Sequence, residues 1–326
     1  MLRQAILAAA VFTSISALCG WSATTIAQEY PTRPIKFIVP LTPGSGADIV
    51  GRILARRMSE ALGQPILVEN RAGAGTQIGT QAVAKATPDG YTFRAQSSSH
   101  AVNPALYKSL PYDALKDFVD VSPLAATPYA MVTGGSGPYR TLANLIDAAR
   151  AKPGEIPYAS AGVGTSTHLA AEYFAQLAKV KLLHIPYKGS SEAIQDTIAG
   201  RTAFYMAPVN TSIGQIKDGR LATLGVGTER RVAVLPDAPT ILEQGVTGYV
   251  MNLWFGLWAP AGTPPAIVAR INTEVTRALD APEVREQFVK LGMQAMPMSP
   301  DAFAKFVRAE IAVYQRIVAD GGFERQ

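Results

Sequence analysis

Cysteine is nearly absent: Cys19 is the only one in 326 residues. It sits in an apolar amino-terminal run. Removal of that run leaves no thiol, and so excludes a disulfide framework, a thiolate nucleophile and a cysteine-based metal site. Histidine is almost as scarce. His100, His168 and His184 are the whole complement, and no two stand at the H-E-x-x-H spacing of a zinc protease. Charged residues make up 17% of the chain and hydrophobic ones 48%, which predicts large cores and argues against disorder. The formal net charge of +5 is spread out with no Lys/Arg block, so a nucleic-acid partner has no support. A mild positive field suits an anionic ligand. No G-x-x-x-x-G-K-[ST] occurs, which excludes a P-loop, and no G-x-S-x-G, which excludes the hydrolase elbow. Beyond the amino terminus, no stretch reaches the about 18 consecutive apolar residues of a membrane span.

The amino terminus is the exception. Arg3 precedes an apolar run from Ala5 to Cys19, and small residues follow, with Thr25 and Ala27 at the −3 and −1 positions of a cut before Gln28. This is the layout of a secretory signal peptide over residues 1–27, which places the mature protein in the periplasm. An uncleaved anchor and a lipoprotein attached through Cys19 are the competing readings; Leu18 stands where a lipoprotein signal needs a small residue.

The remaining length suits two α/β lobes. Ile35 to Val39 reads as a buried strand ended by Pro40. A helix then carries Ile49, Val50, Ile53, Leu54, Met58, Ala61 and Leu62 on one face, ended by Gly63. The pattern repeats: strand Ile66 to Glu69, a glycine loop, helix Ile78 to Ala86, the Pro88-Asp89-Gly90 turn and strand Tyr91 to Ala95. Such alternation predicts parallel sheets covered by helices. Between 122 and 140 the composition shifts to Pro, Gly and Ser, which reads as a crossing into a second lobe. There a helix is expected at Leu142 to Ala151, a strand at Tyr158 to Ser160, a helix bearing Leu169, Ala170, Tyr173, Phe174 and Leu177, a strand at Leu182 to Ile185 and a helix at Ser190 to Ala199. Leu253 to Trp258 reads as a strand near a second crossing. Three helices opening at Pro264, Pro282 and Pro300 close the chain, with proline at home in the first turn. The expected organisation is lobe 1 from 28–126 and 251–326, and lobe 2 from 127–250.

Two glycine-rich loops, 43–48 and 161–166, each join a strand to a helix. Such a junction presents unpaired N–H groups and the positive end of a helix dipole, a ready site for a carboxylate or phosphate. The alternative is that glycine only shapes a tight turn; one such loop per lobe favours the binding role. Gly44-Ser45-Gly46 lacks the third glycine of a dinucleotide fingerprint, since Ile49 stands there. Asp48 at a helix start either holds its own loop through N–H bonds or contacts a ligand, and the loop-holding role is favoured. Ser166 reads as the N-cap of its helix. It does not face His168, two residues on. His184, inside an apolar strand, reads as a satisfied core residue.

At these loops the sequence becomes recognisable. Tyr30-Pro31-Thr32-Arg33-Pro34-Ile35 leading into Val39-Pro40-Leu41-Thr42-Pro43-Gly44-Ser45-Gly46-Ala47-Asp48 resembles the opening of the Bug-type receptors, the periplasmic solute-binding proteins of tripartite tricarboxylate transporters. The resemblance continues at Val68-Glu69-Asn70-Arg71-Ala72-Gly73-Ala74-Gly75, Pro88-Asp89-Gly90-Tyr91-Thr92, Ile185-Pro186-Tyr187-Lys188-Gly189 and Trp254-Phe255-Gly256-Leu257-Trp258-Ala259-Pro260-Ala261-Gly262-Thr263-Pro264. Each motif is weak alone; their order along nearly the whole mature chain is specific. The resemblance implies an α/β, two-lobed periplasmic-binding fold of the venus-flytrap type, type II-like, each lobe a sheet flanked by helices. It also implies hinge closure on a small carboxylate (a di- or tricarboxylate, an amino acid or an aromatic acid) and delivery to a membrane permease. No cofactor, metal, catalysis or nucleic-acid partner is expected, and a monomer is. Carried onto this chain, the ligand residues are Thr42, Pro43, Gly44, Ser45, Gly46, Ala47 and Asp48; Ser98; Ala161, Gly162, Gly164, Thr165, Ser166 and His168; and Lys188 beside the cleft. Two positions depart from the family: Ser45 replaces a usual glycine and Leu41 a common aromatic. A secreted enzyme using the same cleft, or a binding protein feeding a sensor kinase, remain as alternatives. The enzyme lacks an assembled base–nucleophile or metal constellation.

Overall fold

The strands form where runs of β-branched and other apolar residues can be buried. In β1 (Ile35–Val39) every residue but Lys36 is buried, as expected of a parallel strand covered on both faces. It pairs in parallel with β2 (Ile66–Asn70) and β3 (Thr92–Ser97). This computed structural model describes residues 30–323, 325 and 326; the signal segment expected at 1–27 lies outside the described residues. Helix α1 (Gly46–Leu62) packs Val50, Leu54, Ala55, Met58 and Leu62 inward, and Gly63 ends it at φ 65°. Of its expected apolar face, Ala61 is exposed instead. The remaining connections of this half are α2 (Gln77–Ala84) and α3 (Ser99–Leu106).

The second half repeats the scheme. Strands β5 (Pro157–Ser160), β6 (Leu183–Pro186) and β7 (Phe204–Pro208) are parallel. The helices are α4 (Leu142–Ala151), α5 (Ser166–Ala178), α6 (Ser190–Ile198) and α7 (Val209–Lys217). Its core packs Ala130, Val132, Ala159, Ile194, Tyr205, Ala207 and Val226 together.

Two long strands join the halves. β4 runs from Phe118 to Gly134 and β9 from Asn252 to Pro260. β4 is antiparallel to β9 over Phe118–Pro128, then to β7 over Tyr129–Val132 and to β8 (Leu221–Val226) over Ala130–Gly134. Among the described residues the result is a ten-stranded sheet ordered β2-β1-β3-β9-β4-β7-β5-β6, with β8 and the short β10 (Gln294–Ala295) paired to β4. The stretch whose composition shifts to Pro, Gly and Ser is therefore, as far as Gly134, part of a 17-residue strand. Pro123 is tolerated there because the register shifts around it, which spares the missing N–H. The closing helices α8 (Pro265–Asp280), α9 (Pro282–Lys290) and α10 (Pro300–Gly321) each carry proline at the first turn, as expected. Among the described residues no helix is long and apolar enough to cross a membrane.

Trp258 of β9 is fully buried. Its ring lies 4.4 Å from that of His100, and its Nε1 donates to Asp120 Oδ1 at 2.7 Å. It also faces the buried Arg94 guanidinium, 4.8 Å from the ring centroid. Trp258→Ala removes this packing and leaves Asp120 without its donor. The expected loss is about 3–5 kcal/mol of unfolding free energy, read from the urea midpoint at constant slope; a loss under about 1 kcal/mol would show that the core of the first half does not depend on it.

Candidate functional site

A parallel strand followed by a helix delivers the helix N-terminus to the carboxyl edge of the sheet, where α/β proteins bind ligands. Here α1 follows β1, α3 follows β3, α5 follows β5, α6 follows β6 and α7 follows β7. Among the described residues these five helices begin at one cavity. Its wall includes Gly46 and Ala47 of α1, Ser97 and Ser99 around the start of α3, Ala161, Thr165, Ser166 and Thr167 at α5, Ser190 at α6 and Pro208 before α7. Leu41, Leu253 and Phe255 complete it. No ionisable side chain stands among these lining residues; positive potential comes from helix ends and donors from hydroxyls and amides.

The cavity is closed, with about 10 Å³ open to the centre of a water-sized sphere, room for about one water. Protein atoms bond across it. Ser166 N donates to Ser99 Oγ at 3.0 Å, Asn103 Nδ2 to Gly164 O at 2.8 Å, Tyr107 Oη to Val163 O at 2.8 Å and Asn210 Nδ2 to Gly46 O at 3.3 Å. At the rim Thr42 Oγ1 donates to Glu192 Oε2 at 3.0 Å and Ser191 Oγ to Pro43 O at 2.9 Å. A ligand larger than a water enters only if the two faces separate.

The two glycine loops are built alike. Gly44 and Gly164 both have φ +77°, a conformation that favours glycine, so the turn-shaping role is real at both. The Gly44 N–H donates to Asp48 Oδ2 at 3.0 Å and the Gly164 N–H to His168 Nδ1 at 3.2 Å. Asp48 thus holds its loop, as expected. Burial works to raise its pKa, but bonds from Arg52, the Gly44 N–H and Asn70 outweigh it and hold the carboxyl below its ordinary value. The N-cap of α5 is Thr165, whose hydroxyl accepts from His168 N, and not Ser166. Thr165 is the extended residue of the pair, whereas Ser166 is already helical and gives its N–H to Ser99. His184 is half-buried and engaged: its Nε2 meets Ser160 Oγ at 2.6 Å, and its ring stacks on His168 at 4.1 Å.

Of the residues expected at the site, Gly46, Ala47, Ala161, Thr165 and Ser166 line the cavity. Asp48, Gly162, Gly164 and His168 are buried outside the lining and shape the loops, and Gly44 is exposed at the rim beside Ser191. Thr42 and Pro43 bond across the rim. Lys188 is exposed, next to the rim residue Gly189. Ser45 and Ser98 are buried with hydroxyls that meet no partner. Tyr129, fully buried in β4, turns its hydroxyl towards Ser98 and Ser166 without closing a bond to either. Sequence reasoning missed Ser97, Ser99, Thr167, Ser190 and Phe255. The serine run 97–99 after β3 and the Gly189-Ser190 pair after β6 carried the signal.

The strand order, the crevice and its helix ends define a periplasmic binding protein. The sequence profile described as tripartite tricarboxylate transporter family receptor matches residues 50–323, and the chain belongs to that family. BugT of Bordetella pertussis is 36% identical over 315 residues, covering 96% of this chain and 97% of BugT. A Rhodopseudomonas palustris protein solved with adipate is 33% identical at TM-score 0.87, covering 90% of this chain and 99% of that one. MatC from the same organism, solved with bound malate, is 30% identical at TM-score 0.86, covering 89% and 100%. The two-lobed fold read from the sequence is thereby established.

Two predictions follow from this geometry. A Cβ on Gly189 would overlap the Thr42 hydroxyl across the rim, although the glycine's own backbone is extended. Gly189→Ala is therefore expected to fold normally yet hold the lobes apart, seen as a larger radius of gyration in small-angle scattering, with Thr42→Ala restoring the parent value. An unchanged radius in the single variant would remove the rim from the closure mechanism.

All three histidines are held neutral. Burial pushes His168 down to about 3, with His184 adding to it, and His184 down to about 4; burial and Arg94 push His100 well below its ordinary value. Each unfolded imidazole binds a proton near 6.5, so the unfolded state gains protons as pH falls. Stability is complete above about 6.5 and drops towards about 4, by about 1.4 kcal/mol per pH unit for each histidine. Glu172 and Asp120, both raised by burial, act in the opposite sense, so the comparison is with His184→Gln. Urea unfolding from pH 7.5 to 4.5 should show a shallower decline in that variant; parallel curves would count against the assignment.

Proposed function

We propose that the chain is an extracytoplasmic receptor that takes a small carboxylate into the crevice between its lobes and passes it to the membrane permease of a tripartite tricarboxylate transporter. In this reading residues 1–27 direct export and are removed, 28–126 with 251–326 form the first lobe and 127–250 the second. The observation that carries it is the convergence of five helix N-termini on a cavity lined by hydroxyls and amides. Such a site stabilises a carboxylate by aligned donors and dipoles.

The roles divide by position. Amides and hydroxyls of Gly46, Ala47, Ala161, Thr165 and Ser166 meet the ligand, joined by Ser97, Ser99, Thr167 and Ser190. Pro43, Gly44, Asp48, Gly162, Gly164 and His168 set the loops that present them. Thr42 guards the rim, and Lys188 outside it attracts an incoming anion. The buried hydroxyls of Ser45 and Ser98, which meet no partner, stand beside the loops and are free to bond. Malate- and adipate-bound relatives favour a chain bearing two carboxylates, and hinge opening admits it.

A thermal-shift screen of mono-, di-, tri- and aromatic carboxylates tests this. At 100 times the dissociation constant a ligand stabilises by about 2.7 kcal/mol, a rise of a few degrees. Malate or adipate is expected among those that shift the transition. A panel in which no carboxylate raises it would sink the reading.

A further inference from the structure

Resting on the reading of a two-lobed receptor that closes on its ligand, we infer that the Tyr129 hydroxyl opposes closure and so sets how tightly the receptor binds. Tyr129 stands where β4 changes partner: Pro128 pairs with Asn252 of β9, and Tyr129 with Pro208 of β7. Its backbone therefore lies at the joint between the lobes. Its side chain is fully buried. The hydroxyl turns towards Ser98, just before α3 of the first lobe, and Ser166, at the start of α5 of the second, without closing a bond to either. Ser166 Oγ instead accepts from Ser99 Oγ at 3.3 Å, and Ser98 Oγ also meets no partner.

Every other buried tyrosine among the described residues has an acceptor. Tyr112 donates to Asn103 Oδ1 at 2.7 Å, Tyr205 to Ser190 Oγ at 3.0 Å, Tyr249 to Ala170 O at 3.0 Å, Tyr314 to Glu310 Oε2 at 2.7 Å and Tyr158 to Glu172. A hydroxyl buried without a partner costs free energy that a phenylalanine of the same shape does not. Ser98 and Ser166 belong to different lobes, so opening parts them and lets water reach the hydroxyl between them. The cost then falls on the closed form. A second contact repeats the pattern. Where α1 meets α7, Asn210 Nδ2 donates to Gly46 O, yet Asn210 Oδ1 and Ser45 Oγ are buried without partners. The bonds that favour closure are thus set against polar groups that closure strands. A closed form made scarcer in this way lowers the apparent affinity for any ligand that requires it.

Tyr129→Phe in the full mature protein tests this, with Tyr249→Phe as the comparison because its hydroxyl has an acceptor. Small-angle scattering without any carboxylate should give Tyr129→Phe a smaller radius of gyration than the parent and leave Tyr249→Phe at the parent value. Urea unfolding should hold the Tyr129→Phe midpoint at or above the parent's and lower that of Tyr249→Phe. In calorimetric titration, whichever of malate and adipate the parent binds should bind Tyr129→Phe at least about fivefold more tightly. A Tyr129→Phe midpoint that falls as far as that of Tyr249→Phe overturns the inference, because the hydroxyl then has a partner. So does an unchanged or larger radius, or an affinity that is unchanged or weaker. Where neither acid binds the parent, the ligand assignment fails by itself, and scattering and unfolding decide this inference without it.

Discussion

The structure depends on one constraint: a helix that follows a parallel strand must leave its first N–H groups at the strand's carboxyl edge. Repeated five times with the edges facing one another, this places the helix-start donors around a single space. No cationic side chain is needed to make that space attractive to an anion, and none lines it. The long strand β4 imposes the facing arrangement, because along its own length it leaves β9, which pairs on with β3, for β7 and β8 of the other half.

A crevice built from donors has a difficulty when its walls meet. The donors must find acceptors or lose free energy as they leave water. Here the opposing lobe supplies them: Ser99 Oγ receives Ser166 N, and loop carbonyls receive Asn103, Tyr107 and Asn210. These contacts stabilise the closed form. Under the proposed function they compete with the ligand, so that its affinity is the difference between two sets of hydrogen bonds, adjusted by residues such as Asn103 and Tyr107 that lie outside the cavity wall.

The local periodicities were legible. β1, α1, α4, α5 and the three closing helices lie where apolar spacing, Gly63 and the opening prolines put them. What defeated sequence reasoning was tertiary context overriding composition. Pro123 and Pro128 disguise β4, whose bulges and change of partner absorb them. Pro104 disguises α3, a helix of eight residues that is buried almost throughout, chiefly against α10. The glycine loops pointed to two of the five helix ends because a tight turn needs glycine there. The ends at Ser99, Ser190 and Asn210 need no positive φ, so no glycine run marks them.

The two loops that were legible share a construction that the alignment of motifs alone does not reveal. In the first, Gly44 donates to Asp48, four residues on, and Asp48 is clamped by Arg52, four further on. In the second, Gly164 donates to His168, and Glu172 lies 4.0 Å from its other ring nitrogen. The spacing is that of successive helical turns, so one face of α1 and one face of α5 each support the turn that precedes them. The chemistry differs while the geometry does not. Asp48 accepts as an anion whose charge Arg52 balances; His168 accepts as a neutral imidazole, and its Nε2 hydrogen faces Glu172. Arg52 balances the Asp48 charge, whereas Glu172, whose carboxyl pKa burial raises, receives the Tyr158 hydroxyl. Both solutions hold an α-left-handed glycine in place with a side-chain acceptor four residues on.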